Sequence, residues 1–235
     1  MKKLILSLAF ATLSFATVNA QTADEIITKM VEARGGADKL NAIKSMKMEA
    51  TMAVMGMELP VKTVLVPKRG MRIDISAMGQ EIVQAVDDTT AWTIAPPMGI
   101  TTPTKLPAEQ AKPMLGQLDI SGGLIGYKEN GTTVEMLGKE KLDAADVFKL
   151  KMTTKDGIVA TNFVDATTYY ILKTVVSIGG AEVETRISNY KMIDGVAFPF
   201  TTEIKNEQMG TMTTNVTKIE LNQTVDESIF KMPKQ

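Results

Sequence analysis

The residues best suited to nucleophilic chemistry in this sequence are Ser188 and Lys191, which have the Ser-x-x-Lys spacing of penicillin-recognising enzymes. That spacing places a lysine beside a serine at the start of a helix. Here Val183, Thr185 and Ile187 alternate with polar residues, which predicts a strand. A strand points residues three apart to opposite faces, and the companion Ser-Asp-Asn and Lys-Thr-Gly motifs are missing. We therefore interpret the match as a chance spacing.

Histidine and cysteine are both absent from the sequence. Their absence excludes Ser-His and Cys-His nucleophile pairs, the usual zinc ligands and disulfide bonds. Close carboxylates occur at Asp143 with Asp146 and at Glu182 with Glu184, but solvated faces or turns explain them better than acid-base pairs. We predict a protein that is not an enzyme and that uses no metal or cofactor. A hydrolase built on carboxylates or on the Ser-Lys pair is the least favoured alternative.

Methionine is the most unusual component, with seventeen residues against twelve aromatic ones. Its flexible thioether suits surfaces that re-pack around varied apolar ligands, although it also fills ordinary cores. Met46, Met48 and Met52 fall on one face of a predicted strand, where we interpret them as a binding wall. Trp92, the only tryptophan, can be either a core residue or a flat surface in an apolar pocket.

The first twenty residues have the pattern of a secretory signal peptide. Lys2 and Lys3 precede an apolar run from Leu4 to about Val18, and Ala20 completes a small-residue cleavage pattern. The run is shorter than the roughly twenty residues that span a membrane. We expect cleavage after Ala20 and a soluble mature protein in the periplasm of a Gram-negative bacterium. Loss of two lysines moves the formal charge from -1 to about -3, which does not favour nucleic acid as a partner.

An amphipathic helix is predicted directly after the signal peptide. Thr22 can cap this helix and Glu25 can reach back to it, and apolar residues recur at helical spacing from Ile26, ending at Arg34. Gly35-Gly36 supplies a left-handed stop. A second short turn is predicted from Ala37 to Ile43.

Strand patterns fill most of the remaining sequence. Alternation begins at Ser45 and predicts a meander of about five strands up to Ala95. About seven more strands follow Asn130, separated by turn signals at Asn130-Gly131, Asp156-Gly157, Gly179-Gly180 and Asp194-Gly195. One antiparallel sheet of 11 to 12 strands must curl to bury its apolar face. We predict a mainly β, α+β fold, in which residues 21–235 form one domain.

The strand pattern stops between Pro96 and Asn130. Pro107 suits the first turn of a helix, and Pro113 is predicted to break that helix into two short pieces. An interruption of this length indicates a functional insertion such as a lid. A lid would cover the apolar face of the sheet, which would otherwise be an aggregation hazard.

The predicted ligand-binding residues are the apolar members of the front strands. They are Met46, Met48, Met52, Val54, Leu59, Val61, Met71, Ile73, Ile75, Trp92 and Ile94. The alternative is an interaction module whose sheet packs closed and recruits a cell-envelope partner through its outer face. A dry, solid interior would favour that alternative.

Several segments resemble motifs of the outer-membrane lipoprotein carrier (LolA-like) family. They are Val66-Pro67-Lys68-Arg69-Gly70-Met71-Arg72, Asp87 to Pro96, Tyr190 to Pro199 and the terminal Phe230-Lys231-Met232-Pro233. The similarity covers most of the chain after the signal peptide. The third of these segments is closest to the larger versions of the family in Gram-negative bacteria.

The resemblance implies an incomplete antiparallel barrel capped by helices, which holds acyl chains between sheet and lid and carries them toward the outer membrane. It also implies that Arg69 latches the lid to the barrel, although Gly70 stands where the family usually has proline. The implied partners are lipoprotein acyl chains or another hydrophobic ligand, together with envelope transport proteins, for a monomeric carrier. The scarcity of aromatic residues is a second departure and leaves the ligand open.

Overall fold

The structure, a computed structural model, describes residues 21–178, 181–206 and 210–234. The predicted signal peptide and the turn predicted at Gly179-Gly180 lie outside the described residues. The helices are α1 (Ala23–Ala33), α2 (Ala37–Asn41) and α3 (Ala108–Gly116). The strands are β1 (Met46–Val54), β2 (Met57–Val66), β3 (Gly70–Ala77), β4 (Gln80–Asp87), β5 (Ala91–Ala95), β6 (Ile100–Lys105), β7 (Thr133–Leu142), β8 (Ala145–Thr153), β9 (Val159–Asp165), β10 (Ile171–Ile178), β11 (Ala181–Ile193), β12 (Val196–Asn206) and β13 (Gly210–Leu221).

The thirteen described strands form one curled antiparallel sheet in the order β6-β5-β4-β3-β2-β1-β13-β12-β11-β10-β9-β8-β7. Every neighbouring pair is a hairpin except β1 with β13, which joins the front meander to the back one. The sheet stays open because the edge strands β6 and β7 pair only on one side. The fold class predicted from the sequence is therefore confirmed.

The strand register places one apolar row across the front of the sheet. Met46 pairs with Leu65, which pairs with Met71 on the next strand. Two residues further along, Met48 pairs with Thr63, which pairs with Ile73. Because side chains alternate between faces, these residues share the concave face of the sheet.

Helix α1 covers the concave face from the back meander. Thr22 Oγ1 accepts from the backbone N–H of Glu25, and the Glu25 carboxylate accepts from the Thr22 N–H, so the predicted capping box is present. Ile26 and Met30 are fully buried against Phe148 and other residues of β8 and β9. The helix thus packs its apolar stripe on the sheet, as its spacing predicts.

Two local predictions are wrong. The chain forms strand β6 after Pro96, where no strand was expected, because this edge strand is mostly exposed and has no apolar alternation. Helix α3 continues through Pro113 instead of breaking. Proline there removes one N–H, whose helical acceptor would be the carbonyl of Glu109, and that residue is exposed, so water can satisfy its carbonyl.

Candidate functional site

A cavity of about 560 Å³ lies between the concave face of the sheet and the helices. Met30 of α1 forms its roof, and strands of both meanders form its walls. Most of its lining is apolar, and the polar exceptions include Arg34, Asp119 and Tyr190. An apolar space with few polar groups is typical of a site for a small hydrophobic ligand.

The front wall contains four of the eleven residues predicted to bind ligand. Met46, Met48, Met71 and Ile73 line the cavity beside Leu65. All lie on the helix-covered half of the concave face, because Leu65 and Met71 pack against Met114 and Leu118 above them.

The other seven predicted residues do not line this cavity. Five share the concave face of the same strands but lie nearer its other end: Met52, Val54, Leu59, Val61 and Ile75. Trp92 and Ile94 lie on the outer face, where they pack with Val83, Ala85 and Met232. Trp92 is fully buried, and its indole Nε1 donates to the carbonyl of Phe230 at 2.8 Å. That bond satisfies the polar group of a core tryptophan.

The back wall is built around two stacked tyrosines that the sequence analysis did not single out. The rings of Tyr170 and Tyr190 are 4.2 Å apart and nearly parallel. The Tyr190 hydroxyl donates to the carbonyl of Ile171 at 3.0 Å. Burial raises the pKa of Tyr190 to about 12, so the phenol remains neutral and a hydrogen-bond donor near pH 7. This wall is therefore uncharged and aromatic.

The predicted lid is present as α3 and the segment 117–125, and we use the word for these residues. Met114 and Leu118 bury apolar side chains on Leu65, Met71 and their neighbours. Asp119 organises the segment by accepting from the N–H of Ser121 at 2.9 Å and from the N–H of Gly123 at 3.0 Å. The lid is therefore an ordered element and not an irregular loop.

Arg34 holds the lid from below. Its Nη1 donates to the carbonyl of Ser121 and its Nη2 to the carbonyl of Ile120, both at 2.8 Å. No carboxylate forms an ion pair with Arg34 among residues 21–178, 181–206 and 210–234. Burial lowers the pKa of Arg34, against the attraction of Tyr190 and Asp119. A half-buried arginine thus has peptide carbonyls as its partners.

The end of α1 fixes the position of Arg34. Gly35 has a φ of 113°, and a Cβ there would lie 2.2 Å from the carbonyl oxygen of Gly195. The Arg34 carbonyl accepts from the N–H of Ala197 at 3.0 Å. Only glycine permits this close approach, which seats the helix end on the β11–β12 turn. The only sequence signal for Arg34 was its place at helical spacing after Met30.

Arg69 does not contact the lid through its side chain. Its Nη2 lies 3.0 Å from the carboxylate of Glu227, and both side chains are largely exposed. The adjacent backbone does reach the lid, since the N–H of Lys68 donates to the carbonyl of Leu118 at 3.0 Å. The lid-holding side chain in this arrangement is Arg34.

Two further features of the described residues bear on the kind of site. No group of three acidic residues, the only candidate ligands here, is placed to hold a metal ion. No helix among them is long and apolar enough to cross a membrane.

An open, curled antiparallel sheet with helices over an apolar cavity defines the class of fold, and solved structures share it. A LolA superfamily protein from Nitrosomonas europaea has 16% sequence identity and a TM-score of 0.62, covering 90% of this chain and 98% of that one. An outer membrane lipoprotein-sorting domain from Vibrio parahaemolyticus has 15% identity and a TM-score of 0.59, covering 88% and 95% of the two chains. A DUF1329 family protein from Desulfovibrio piger has 13% identity and a TM-score of 0.61, with the same coverage of 88% and 95%.

The chain therefore has the fold of the LolA superfamily, and the resemblance drawn from its sequence motifs is confirmed at the level of the fold. No protein-family model matches the chain, and no curated protein matches it in sequence.

Proposed function

We propose that this protein is a periplasmic carrier that binds acyl chains, of a lipoprotein or another hydrophobic ligand, between its curled sheet and its lid. The observation that carries the proposal is the largely apolar cavity under the lid. The similar structures named above support it, because one of them is a lipoprotein-sorting domain. A module with a closed core would have no use for such a space.

The cavity lining can supply the binding energy without specific chemistry. Burial of one methylene is worth about 0.8 kcal/mol, so a chain of about a dozen methylenes gains roughly 10 kcal/mol before ordering losses. Micromolar or tighter binding needs about 8 kcal/mol. The lid excludes water from the bound chain, and its attachment through Arg34 allows it to open.

The proposal is tested by the uptake of a fluorescent fatty acid, in parallel with mass spectrometry of lipids extracted from protein purified without detergent. Met48→Glu places a carboxylate on the apolar wall, where an unpaired charge is strongly unfavourable. We expect it to weaken uptake at least roughly 100-fold, which corresponds to about 2.8 kcal/mol. Circular dichroism should stay β-rich.

Met192→Glu is the matched control, because Met192 is 56% exposed and does not line the cavity. Its uptake should equal that of the unmodified protein. Equal uptake by both variants, or no binding by the unmodified protein together with no co-purified lipid, contradicts the proposal. The interaction module would then be favoured.

A further inference from the structure

The dipeptide Met-Gly occurs four times in the sequence, and each copy falls between two strands that pair in the sheet. The copies are Met55-Gly56, Met78-Gly79, Met98-Gly99 and Met209-Gly210. In the strand order from β6 to β12, these are four successive connections along one edge of the sheet. Met209 itself lies outside the described residues. We call Met55, Met78 and Met98 the methionine rim.

The side chains of the methionine rim are exposed. Met55 is 72% exposed, Met78 is 80% exposed and Met98 is 72% exposed. Together with Met57 they make up four of the seven large apolar side chains that are exposed in the described residues. Single exposed apolar residues are ordinary, but a row of them at one edge indicates a contact surface.

The backbone at the rim favours a different residue type. Met55 and Met78 have φ of 50° and 52°, and the glycine after each has φ of 76°. Two-residue turns with positive φ at both positions are type I′, in which asparagine or aspartate normally precedes glycine. At the opposite edge the same turn is made by Asp194-Gly195, with φ of 49° and 78°. Methionine therefore occupies a left-handed position at a conformational cost.

The two edges of the sheet differ in chemistry. Connections at the opposite edge carry the polar residues Lys68, Arg69, Asp88, Thr89 and Asp143 at exposed positions. The methionine edge has apolar tips instead. The apolar concave face also continues from the cavity toward it, through residues that do not line the cavity: Met52, Val54, Leu59, Val61 and Ile75.

We propose that the methionine rim inserts into the surface of a lipid bilayer and points the uncovered end of the concave face at the membrane. This goes beyond the proposed function, because the rim can bind a bilayer whether or not the cavity holds a ligand. Neighbouring tips are two strands apart, about 10 Å. A fluid apolar phase accepts such separate tips, whereas a protein interface needs a contiguous packed patch of roughly 800 Å² on each partner.

The charges beside the rim determine the kind of bilayer. Glu58 follows the first tip and Glu81 the second, and no basic residue lies within three positions of Met55, Met78 or Met98. Anionic lipid attracts clusters of lysine and arginine, which these turns do not have. The rim therefore fits a zwitterionic lipid surface, bound through apolar contact alone.

The test is flotation of the protein with phosphatidylcholine vesicles. Replacing Met55, Met78 and Met98 together by asparagine should lower vesicle binding at least tenfold. Asparagine suits the left-handed turn positions, so thermal stability should be equal or higher. Met78→Asn and Met192→Asn form a matched pair of single variants. The first should reduce binding, and the second should leave it within twofold of the unmodified protein.

A tryptophan probe locates the contact. Met78→Trp should be quenched by phosphatidylcholine carrying brominated chains, whereas Met192→Trp should not, and the buried Trp92 gives a constant background. The proposal is overturned if the unmodified protein does not float, if the triple variant floats equally, or if binding requires anionic lipid and ignores the rim. Met48→Glu should still float and the triple variant should still take up fatty acid, so failure of this proposal is distinguishable from failure of the carrier function.

Discussion

Arg34 places a positive charge at the edge of a largely apolar cavity, and its two described hydrogen bonds go to peptide carbonyls of the lid. Hydrogen bonds from a charged group contribute about 1.5 to 3 kcal/mol each. An attachment of that size keeps the lid closed over an empty cavity and can still be broken when a ligand binds. A carboxylate partner would have been stronger and less reversible.

We therefore expect Arg34→Met to open the lid. The variant keeps a long apolar side chain in the same place and removes both bonds to the carbonyls of Ile120 and Ser121. Hydrogen exchange of the amides in residues 108–125 should accelerate at least about tenfold, which corresponds to the loss of about 1.4 kcal/mol. Exchange in the sheet should change little.

Arg69→Met is the matched control for that experiment. Arg69 is 64% exposed and pairs with Glu227 on the surface, where an ion pair contributes 1 kcal/mol or less. Lid exchange should equal that of the unmodified protein. Acceleration in Arg69→Met with none in Arg34→Met would return the lid-holding role to Arg69, as the sequence resemblance implied.

Among the elements, the turn that starts β3 is tied to the C-terminal segment by the absence of a side chain. A Cβ on Gly70 would lie 2.5 Å from ring atoms of Phe230. Phe230 is almost completely buried, and its carbonyl accepts the indole N–H of Trp92. Glycine at position 70 therefore lets the C-terminal segment close the outer face of the sheet over the tryptophan.

Gly70→Ala should displace Phe230 and destabilise the protein by about 1 to 3 kcal/mol, the usual range for overpacking. Trp92, the only tryptophan, reports the displacement directly through a red shift of its fluorescence. Urea unfolding gives the free energy. Gly116→Ala is the control, since a Cβ there meets nothing within 4 Å. That variant should be neutral, and an equal loss in both would contradict the packing explanation.

How far the elements followed from the sequence depended on whether their stability is local. The capping box at Thr22 and the turn at Asp194-Gly195 are local signals, and both were found where predicted. Strand β6 was missed because its residues depend on pairing with β5 for their conformation. Helix α3 tolerates Pro113 because its packing on the sheet through Met114 outweighs one missing bond.

Over the whole molecule, alternation identified the apolar faces, but it could not show which strands the curl would bring together. Met46, Met48, Met71 and Ile73 line the cavity because the lid covers one half of the face, and the lid position depends on Arg34. The aromatic back wall lies more than a hundred residues away in the chain, so no local pattern could connect Tyr190 with Met48. Trp92 alternates onto the outer face, which its apolar neighbours did not indicate.

The molecule has two chemically different ends, with the lid attached near one edge of the sheet and the methionine rim at the other. A carrier with this polarity is useful only where membranes are present, which is consistent with the predicted export signal. We propose that the signal is removed and that the mature chain begins at Gln21. The first described contacts begin at that residue, since Gln21 donates to the Tyr169 hydroxyl at 3.1 Å and the Thr22 N–H donates to Glu25.

Expression of the full chain in a Gram-negative host should give a periplasmic protein whose N-terminal sequence starts at Gln21. Signal cleavage needs a small residue at its last position, so Ala20→Arg should block processing and leave the larger precursor in the membrane fraction. Asn19→Gln is the matched control and should be cleaved normally, because the position between Val18 and Ala20 has no size requirement. Intact mass spectrometry of both fractions measures the outcome directly. A periplasmic protein that still carries Leu4 would contradict the cleavage, and normal processing of Ala20→Arg would move the cleavage site elsewhere.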